Sequence, residues 1–268
     1  MKLILDPTGG MAGDMFAAVL ISAGADEQKM VEAMLTAANK IGRSTINTVK
    51  THDNATRLIM DINHNHGHLA ASKARLLLKE LCEDLKIEGE YCHFALKVLE
   101  VLIAAEKQAH AENTFLTDHH HGHSHDHHHD HHGHHHHHHE HEEEAWLHEA
   151  QDILIDIIGA AIGLQLLSAP VEADIVKPVS LGGGRIKFSH GEMAVPAPAT
   201  KIIMDKYKIA NTMGPVDIEL CTPTGSAILA ALGSKLISDE IAKGVVFEGT
   251  SRGGKDLEIP PLKVYLRK

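Results

Sequence analysis

The chain has 268 residues, a formal net charge of −11 at pH 7, 43% hydrophobic residues and only 3% aromatic ones. This length allows one large domain or two small ones, and the acidic balance without a basic stripe argues against a nucleic-acid partner. Three cysteines without a CxxC pair predict a reduced, cytoplasmic protein, and the sequence predicts neither a signal peptide nor a membrane-spanning helix.

The first half of the chain predicts strands where apolar and polar residues alternate, and helices where apolar residues recur every three or four positions. Asp26 is in the position of a helix N-cap. The predicted elements are a strand at Lys2–Asp6, helices at Asp14–Ala23 and Asp26–Ile41, a strand pair within Ser44–Asn63 that turns near Asp53 and Asn54, and helices at Leu69–Leu85 and Glu90–Glu112.

In the second half, helical spacing resumes at about Glu143 and continues to Leu167. Short strands are then predicted at Val171–Val179, Arg185–Phe188, Val216–Glu219, Val245–Glu248 and Lys263–Leu266, with helices at Ala197–Lys206 and Gly225–Leu232. The pattern predicts an α/β fold, with α+β as the alternative, in which helices flank a mixed sheet. Residues 1–117 and 145–268 form the two parts of this predicted core.

Residues 118–144, DHHHGHSHDHHHDHHGHHHHHHEHEEE, separate the two parts. Histidine occupies 17 of the 23 positions from 119 to 141, and the segment has no apolar residue, so it predicts a disordered loop. Imidazole binds Ni²⁺, Cu²⁺, Zn²⁺ and Co²⁺, and a flexible cluster of imidazoles suits storage or delivery of an ion. The alternative is a solvated loop without a role. The candidate ligands include the unbroken run His134, His135, His136, His137, His138 and His139.

The first motif outside this tract is DPTGGMAGDM, a strand end that passes through glycines into a helix. Asp14 and Met15 stand where a phosphate-binding P-loop would have Lys and Ser or Thr, so the motif is not a P-loop. Asp6 and Asp14 flank the turn and are candidate ligands for a hard cation such as Mg²⁺ or Mn²⁺. A tight turn with Asp14 at a helix N-terminus is the alternative.

The second motif is HEAQDILID, which begins directly after the histidine tract. In a helix, His148, Asp152 and Asp156 would share one face, with Glu149 beside them. No Lys or Arg lies between 148 and 167, so these acids have no local counter-charge. This favours a metal site over a solvated helix face.

The third motif is GGGRIKFSHGEMAVPAPAT. Consecutive glycines allow a ligand to approach the backbone, and Arg185 and Lys187 suit a phosphate or carboxylate. His190 is a candidate ligand or general acid–base. A glycine hairpin with a half-buried histidine explains the motif equally well.

The fourth motif, ELCTPTGSA, predicts a strand that leads into a helix N-terminus with hydroxyl and N–H groups for an anion. Cys221 is either a soft ligand or nucleophile, or a buried and inert thiol.

The four motifs in this order, with a His-rich insertion just before the HE…D segment, resemble the LarC family of nickel insertion proteins. The resemblance covers DPTGGMAGDM, HEAQDILIDIIG, GGGRIKFSHGEMAVPAPAT and ELCTPTGSA, and therefore most of the chain. Pro7 and Thr8 depart from the family, which more often has an aliphatic or Phe-Ser pair there.

The resemblance implies a cytoplasmic enzyme, a nickel cyclometallase of the lyase class. Its substrate would be pyridinium-3,5-bisthiocarboxylic acid mononucleotide, its product the nickel-pincer cofactor of lactate racemase, and its co-substrate CTP with Mg²⁺ or Mn²⁺. Family members usually continue into a CTP-binding domain, and this chain stops soon after SRGGKDLEIPPLKVYLRK, so we expect a C-terminal domain or polypeptide as partner. The sequence does not decide whether the protein forms a homo-oligomer.

Roles consistent with that chemistry can be suggested for the motif residues. His190 and His148 are candidate bases for the ring proton, and His148, Glu149 and Asp152 are candidate nickel ligands. The substrate phosphate would be held by one of two groups, which are Gly182, Gly183, Gly184 and Arg185, or Thr222, Thr224 and Gly225. The competing hypothesis is a non-enzymatic nickel store or metallochaperone that acts through its His-rich loop.

Overall fold

The computed structural model describes residues 1–63, 68–112, 145–148, 150–188, 191–237 and 244–267. Within them, helices flank a mixed seven-stranded sheet, which confirms the predicted α/β fold. The predicted His-rich loop and the candidate residues Glu149 and His190 lie outside the described residues. None of the described helices is both long and apolar enough to cross a membrane.

The seven strands of the main sheet combine parallel and antiparallel pairs. They are β1 (Lys2–Asp6), β2 (Arg43–Lys50), β3 (Thr56–Asn63), β6 (Ala173–Ile175), β11 (Lys235–Leu236), β12 (Val245–Ser251) and β13 (Leu262–Arg267). Their order is β11-β6-β1-β13-β12-β3-β2, so the first strand lies near the centre, parallel to β6 and antiparallel to β13. Three two-stranded sheets use β4 (His68–Ala70), β5 (Trp146–His148), β7 (Val179–Ser180), β8 (Arg185–Phe188), β9 (Gly191–Ala194) and β10 (Asn211–Thr212).

Seven helices surround the sheet in the described residues. They are α1 (Gly13–Ser22), α2 (Glu27–Asn39), α3 (Ala71–Asp84), α4 (Gly89–Glu112), α5 (Ala150–Leu166), α6 (Pro198–Tyr207) and α7 (Pro223–Ala231). Asp26 caps α2 as predicted, because its side chain accepts a hydrogen bond from the Lys29 N–H at 3.1 Å. Lys97 of α4 donates to the Ala231 carbonyl at 2.8 Å and thereby ties α4 to the end of α7.

Helix α5 packs closely against α1 and α2 because two of its contact positions are glycine. A Cβ atom at Gly159 would lie 2.9 Å from Ala17 Cβ, and one at Gly163 would lie 2.7 Å from Leu20 Cδ1. Asp156 is on the same helix and is only 7% exposed. The close packing thus brings this acidic residue of α5 against the start of α1.

The prediction of one helix from Glu143 through His148 was wrong. Trp146–His148 form a strand that pairs antiparallel with His68–Ala70, and the described helix begins at Ala150. Pairing with a segment far away in the chain overrides the local helical pattern. Consequently His148 does not share a helix face with Asp152 and Asp156.

Two predicted strands also differ from the structure. The run Val171–Val179 is two strands, Ala173–Ile175 and Val179–Ser180, separated by a segment that contains Pro178, which has no N–H to donate. The segment Val216–Glu219 is not a strand but a series of bends, in which Glu219 forms an isolated bridge with Gly182.

Candidate functional site

The four motifs meet around one cavity of about 700 Å³. Each contributes lining residues: Asp14 from the first, Asp152 and Asp156 from the second, Arg185 from the third, and Thr222 and Thr224 from the fourth. Helix α4 adds Glu106 and His110 to the wall. Motifs that are far apart in the sequence therefore form one site.

The floor of the cavity is formed where the loops of the first and fourth motifs are hydrogen-bonded together. The Met11 N–H donates to the Leu220 carbonyl at 2.8 Å, and the Thr222 N–H donates to the Met11 carbonyl at 3.1 Å. At Gly225 a Cβ atom would lie 2.1 Å from the Met11 carbonyl oxygen, so only glycine permits this approach. This contact fixes the start of α7 beside the start of α1.

Three carboxylates, those of Asp14, Asp152 and Asp156, share one part of the cavity wall. Burial raises the pKa of Asp156 well above its ordinary value, and the negative charges of Asp14 and Asp152 raise it further. Burial also raises the pKa of Asp14, although a hydrogen bond from the Met15 N–H at 2.7 Å and the charge of Arg57 oppose this effect. A bound cation would relieve the repulsion among these groups.

The Asp156 carboxylate lies against the backbone at the beginning of α1. A Cβ atom at Gly13 would lie only 2.2 Å from Asp156 Oδ2, which shows how closely the two helices approach here. Its other oxygen, Oδ1, is buried and has no hydrogen-bond partner among the described residues. A buried carboxylate oxygen without a partner is costly, and it is available to a ligand in the cavity.

A further part of the cavity lining comes from the segment 251–261, which the sequence analysis did not identify as part of the site. Arg252 anchors it by donating two hydrogen bonds to Asp53 Oδ2, at 2.8 and 2.6 Å, and others to the carbonyls of Leu257 and Ile259. These bonds lower the pKa of Asp53 below its ordinary range. The only sequence signal was the glycine pair between two cationic residues in SRGGKD.

Several predicted residues lie away from the cavity wall. Asp6 ends β1 and accepts hydrogen bonds from the N–H and hydroxyl of Thr8, so the structure does not join it with Asp14 in the cavity. Gly182 is packed against the chain instead of open, because a Cβ atom there would lie 1.8 Å from the Ile218 carbonyl oxygen. Gly183 and Gly184 likewise face residue 217.

The fourth motif forms the helix N-terminus that its sequence predicted. Thr222 caps α7, and its Oγ1 accepts the hydrogen bond of the Gly225 N–H at 3.2 Å. Cys221 is fully buried, and burial raises the pKa of its thiol, as expected for an inert cysteine. Arg185 is exposed and forms an ion pair with Glu192 at 3.2 Å.

No group of three or more described His, Cys, Asp or Glu side chains is arranged to hold a metal ion by itself. Asp14 and Asp156 provide a pair of carboxylates, and a metal held there needs further ligands. The side chains of His148, Glu149 and His190 are not among those described.

Fold and cavity together define an α/β protein with a cleft that is lined by both acidic and cationic side chains. The model of a family described as nickel insertion protein matches residues 3–127 and 129–267, and this chain belongs to that family.

Relatives agree with this assignment. The chain is 30% identical to the pyridinium-3,5-bisthiocarboxylic acid mononucleotide nickel insertion protein of Clostridium kluyveri over 96% of its own length and 59% of the relative's. It is 29% identical to the protein of the same name from Akkermansia muciniphila, over 88% of this chain and 52% of the relative. A putative nickel insertion protein of Methanosphaera stadtmanae is 27% identical over 97% and 59%. The chain thus spans little more than half the length of these relatives, and no solved structure matches it.

Proposed function

We propose that this chain binds Ni²⁺ and a pyridinium mononucleotide, and that it is the nickel- and substrate-handling part of an enzyme that inserts the ion into pyridinium-3,5-bisthiocarboxylic acid mononucleotide. The product would be the nickel-pincer cofactor of lactate racemase. Family membership and the names of the relatives support this reaction. The observation that carries it is the cavity in which Asp14, Asp152 and the partnerless Asp156 converge.

In this proposal Ni²⁺ is a substrate that must be held and then released. Carboxylates are harder ligands than the two sulfurs of the thiocarboxylates, so the ion gains affinity as it moves from Asp14 and Asp156 to the organic acceptor. Asp152, His148 and Glu149 would complete its first binding site. The histidines of the tract, including His134–His139, would supply the ion when it is scarce.

Formation of the carbon–nickel bond requires a base, because the ring carbon loses a proton as it binds the metal. His148 and His190 are the proposed bases. His148 lies in β5, two residues before α5 begins, and His190 lies in the sequence between β8 and β9, which contribute Ile186 and Met193 to the cavity lining. Thus a base from either segment would act near the carboxylates that hold the ion.

The CTP-dependent step and its Mg²⁺ or Mn²⁺ are proposed for a C-terminal domain or separate polypeptide. The relatives are longer than the region that matches this chain, since the match covers 52% of one and 59% of two others. With such a partner the chain would be one half of a CTP-dependent cyclometallase.

The test is nickel transfer to the bisthiocarboxylated mononucleotide by the purified chain with CTP and Mg²⁺, with and without an added C-terminal domain. Product formation is followed by the absorbance and mass of the nickel adduct. We expect metallation when the domain is present, and its loss in Asp156→Asn. No metallation under either condition, with Ni²⁺ still bound to the chain, would contradict the enzyme.

The second candidate function, a nickel store or metallochaperone, is favoured by one observation, the 17 histidines between positions 119 and 141. Deletion of residues 118–144 separates the two functions. For the enzyme, insertion should persist at saturating Ni²⁺ and fall only when Ni²⁺ is limiting. Complete loss of function at saturating Ni²⁺ would favour the carrier.

A further inference from the structure

The cavity presents a charge problem for a substrate that carries a phosphate. Six acidic residues line it, and their charges would repel an anion: Asp14, Glu106, Asp152, Asp156, Asp217 and Glu219. Three Lys or Arg residues also line it, but Arg185 is paired with Glu192 and Arg252 with Asp53. Among the described residues of the lining, Lys255 is the only Lys or Arg without an ion pair.

The backbone next to Lys255 offers further donors. Within the part of the chain that the structure describes, the N–H groups of Gly253, Gly254 and Lys255 donate to no protein acceptor. Nothing lies within 4 Å of a Cβ atom built at Gly254, so the space beside the backbone is open. Successive free N–H groups in a glycine-containing turn are a common way to bind an anion.

The segment is held in place by bonds that leave these donors free. Arg57 donates to the Lys255 carbonyl at 3.2 Å and to Asp256 Oδ1 at 2.6 Å, and the Arg252 N–H donates to the Thr56 carbonyl at 3.0 Å. Arg57 also neutralises Asp256, whose pKa it lowers, so the neighbouring acid does not compete for Lys255. The donors are therefore positioned before an anion arrives.

We propose that Gly253, Gly254 and Lys255 form a subsite for the phosphate of a mononucleotide, in the same cavity as the carboxylates that would bind the cation. The inference rests on the proposed function for the substrate class, a pyridinium mononucleotide. The N-terminus of α7 is a weaker candidate, since its Gly225 N–H is already bonded to Thr222. A mononucleotide bound this way would place its phosphate at Lys255 and its ring in the cavity that the carboxylates also line.

Binding of nicotinamide mononucleotide and of nicotinamide riboside to the full chain tests the subsite, because the two probes differ only in the phosphate. Calorimetry without added metal should show tighter binding of the mononucleotide. Lys255→Ala should weaken the binding of the mononucleotide by about 10- to 100-fold, which is the usual effect of losing a charged hydrogen bond. The affinity for the riboside should stay unchanged. Lys255→Arg should restore part of the difference.

Lys73→Ala is the matched control, because Lys73 is an exposed lysine of α3 that does not line the cavity. It should bind both probes like the wild type. Equal binding of the two probes by the wild type, or an unchanged preference in Lys255→Ala, would overturn the subsite. A chain that binds the phosphate through Lys255 but transfers no nickel with its C-terminal partner would contradict the proposed function and leave the subsite intact.

Discussion

Replacing Asp156 with Asn should stabilise the metal-free protein while removing a proposed ligand. The side chain is 7% exposed, its Oδ1 has no described hydrogen-bond partner, and two further carboxylates raise its pKa. An unsatisfied buried polar group costs about 1–3 kcal/mol, and more when it is charged. Asn keeps the shape and removes the charge, so we expect a gain of about 1–3 kcal/mol, or about 2–12 °C in Tm for a chain of this size.

The pH dependence of this gain follows from the direction of the shift. A raised pKa means that the folded state favours the protonated carboxyl, so ionisation costs stability only above the unfolded value of about 4. Wild type and Asp156→Asn should therefore be equally stable at acidic pH, and the difference should grow as the pH rises from about 4 towards the folded pKa and level off above it. Thermal unfolding followed by circular dichroism between pH 4 and 8 in EDTA measures this.

Adding Ni²⁺ should reverse the ranking. An ion that binds the folded site raises the Tm of the wild type, whereas Asp156→Asn should gain less because it has lost a ligand. The histidines of residues 118–144 are present in both proteins, so Ni²⁺ bound by them should change both Tm values alike and leave the difference between them unaffected. Asp217→Asn, an exposed acid in the same cavity, is the control and should stay within about 0.5 kcal/mol of the wild type. If Asp156→Asn were less stable than the wild type at pH 7 in EDTA, the reasoning would be refuted.

Three further predictions concern packing, thiol exposure and the wall of the cavity. Gly13→Ala should lower the free energy of unfolding by about 1–3 kcal/mol, because the new Cβ atom would overlap the Asp156 carboxylate. Gly254→Ala, where the space is open, should leave the free energy of unfolding unchanged. Denaturant unfolding of the two variants measures the difference. Iodoacetamide at pH 8 should modify only Cys92, because the other two cysteines are buried with raised pKa values, and peptide mass mapping detects any other adduct. Arg252→Lys should cost about 1.5–3 kcal/mol at neutral pH. The loss should begin to shrink below about pH 4, where Asp53 takes up a proton in the unfolded chain while its lowered pKa keeps it ionised in the folded wild type. Urea titrations at pH 3 and pH 7 measure the last effect, and an equal loss at both would contradict it.

Elements formed by neighbouring residues could be predicted from the sequence. The hairpin of β2 and β3 turns at the predicted Asp53 and Asn54, and α2 begins after its predicted cap, Asp26. One error arose where distant segments decide the structure. Trp146–His148 pair with a strand that lies far earlier in the chain, and no local pattern could indicate that.

The same distinction between local and distant determinants applies to the residues of the site. Asp14, Asp152 and Arg185 were predicted as functional residues, and all three line the cavity. They could be predicted because each belongs to a motif whose chemistry is visible in a few residues. The wall formed by residues 251–261 was missed. Its position depends on Arg252 reaching Asp53, a bond between residues at nearly opposite ends of the chain, and SRGGKD has no spacing that predicts it.

The arrangement of charge explains why one cavity could serve both a cation and an anionic nucleotide. Asp14 and Asp156 lie at the junction of α1 and α5, where close packing keeps their charges out of water and makes the metal-free state unfavourable. Lys255 belongs to a segment held by Arg57 of β3, and among the described residues it forms no ion pair with these acids. Because Lys255 does not pair with the acids of α1 and α5, these acids remain available to an incoming metal ion. In the proposed function, carboxylates and a lysine that do not pair with each other would let one cavity bind both a metal ion and a phosphate.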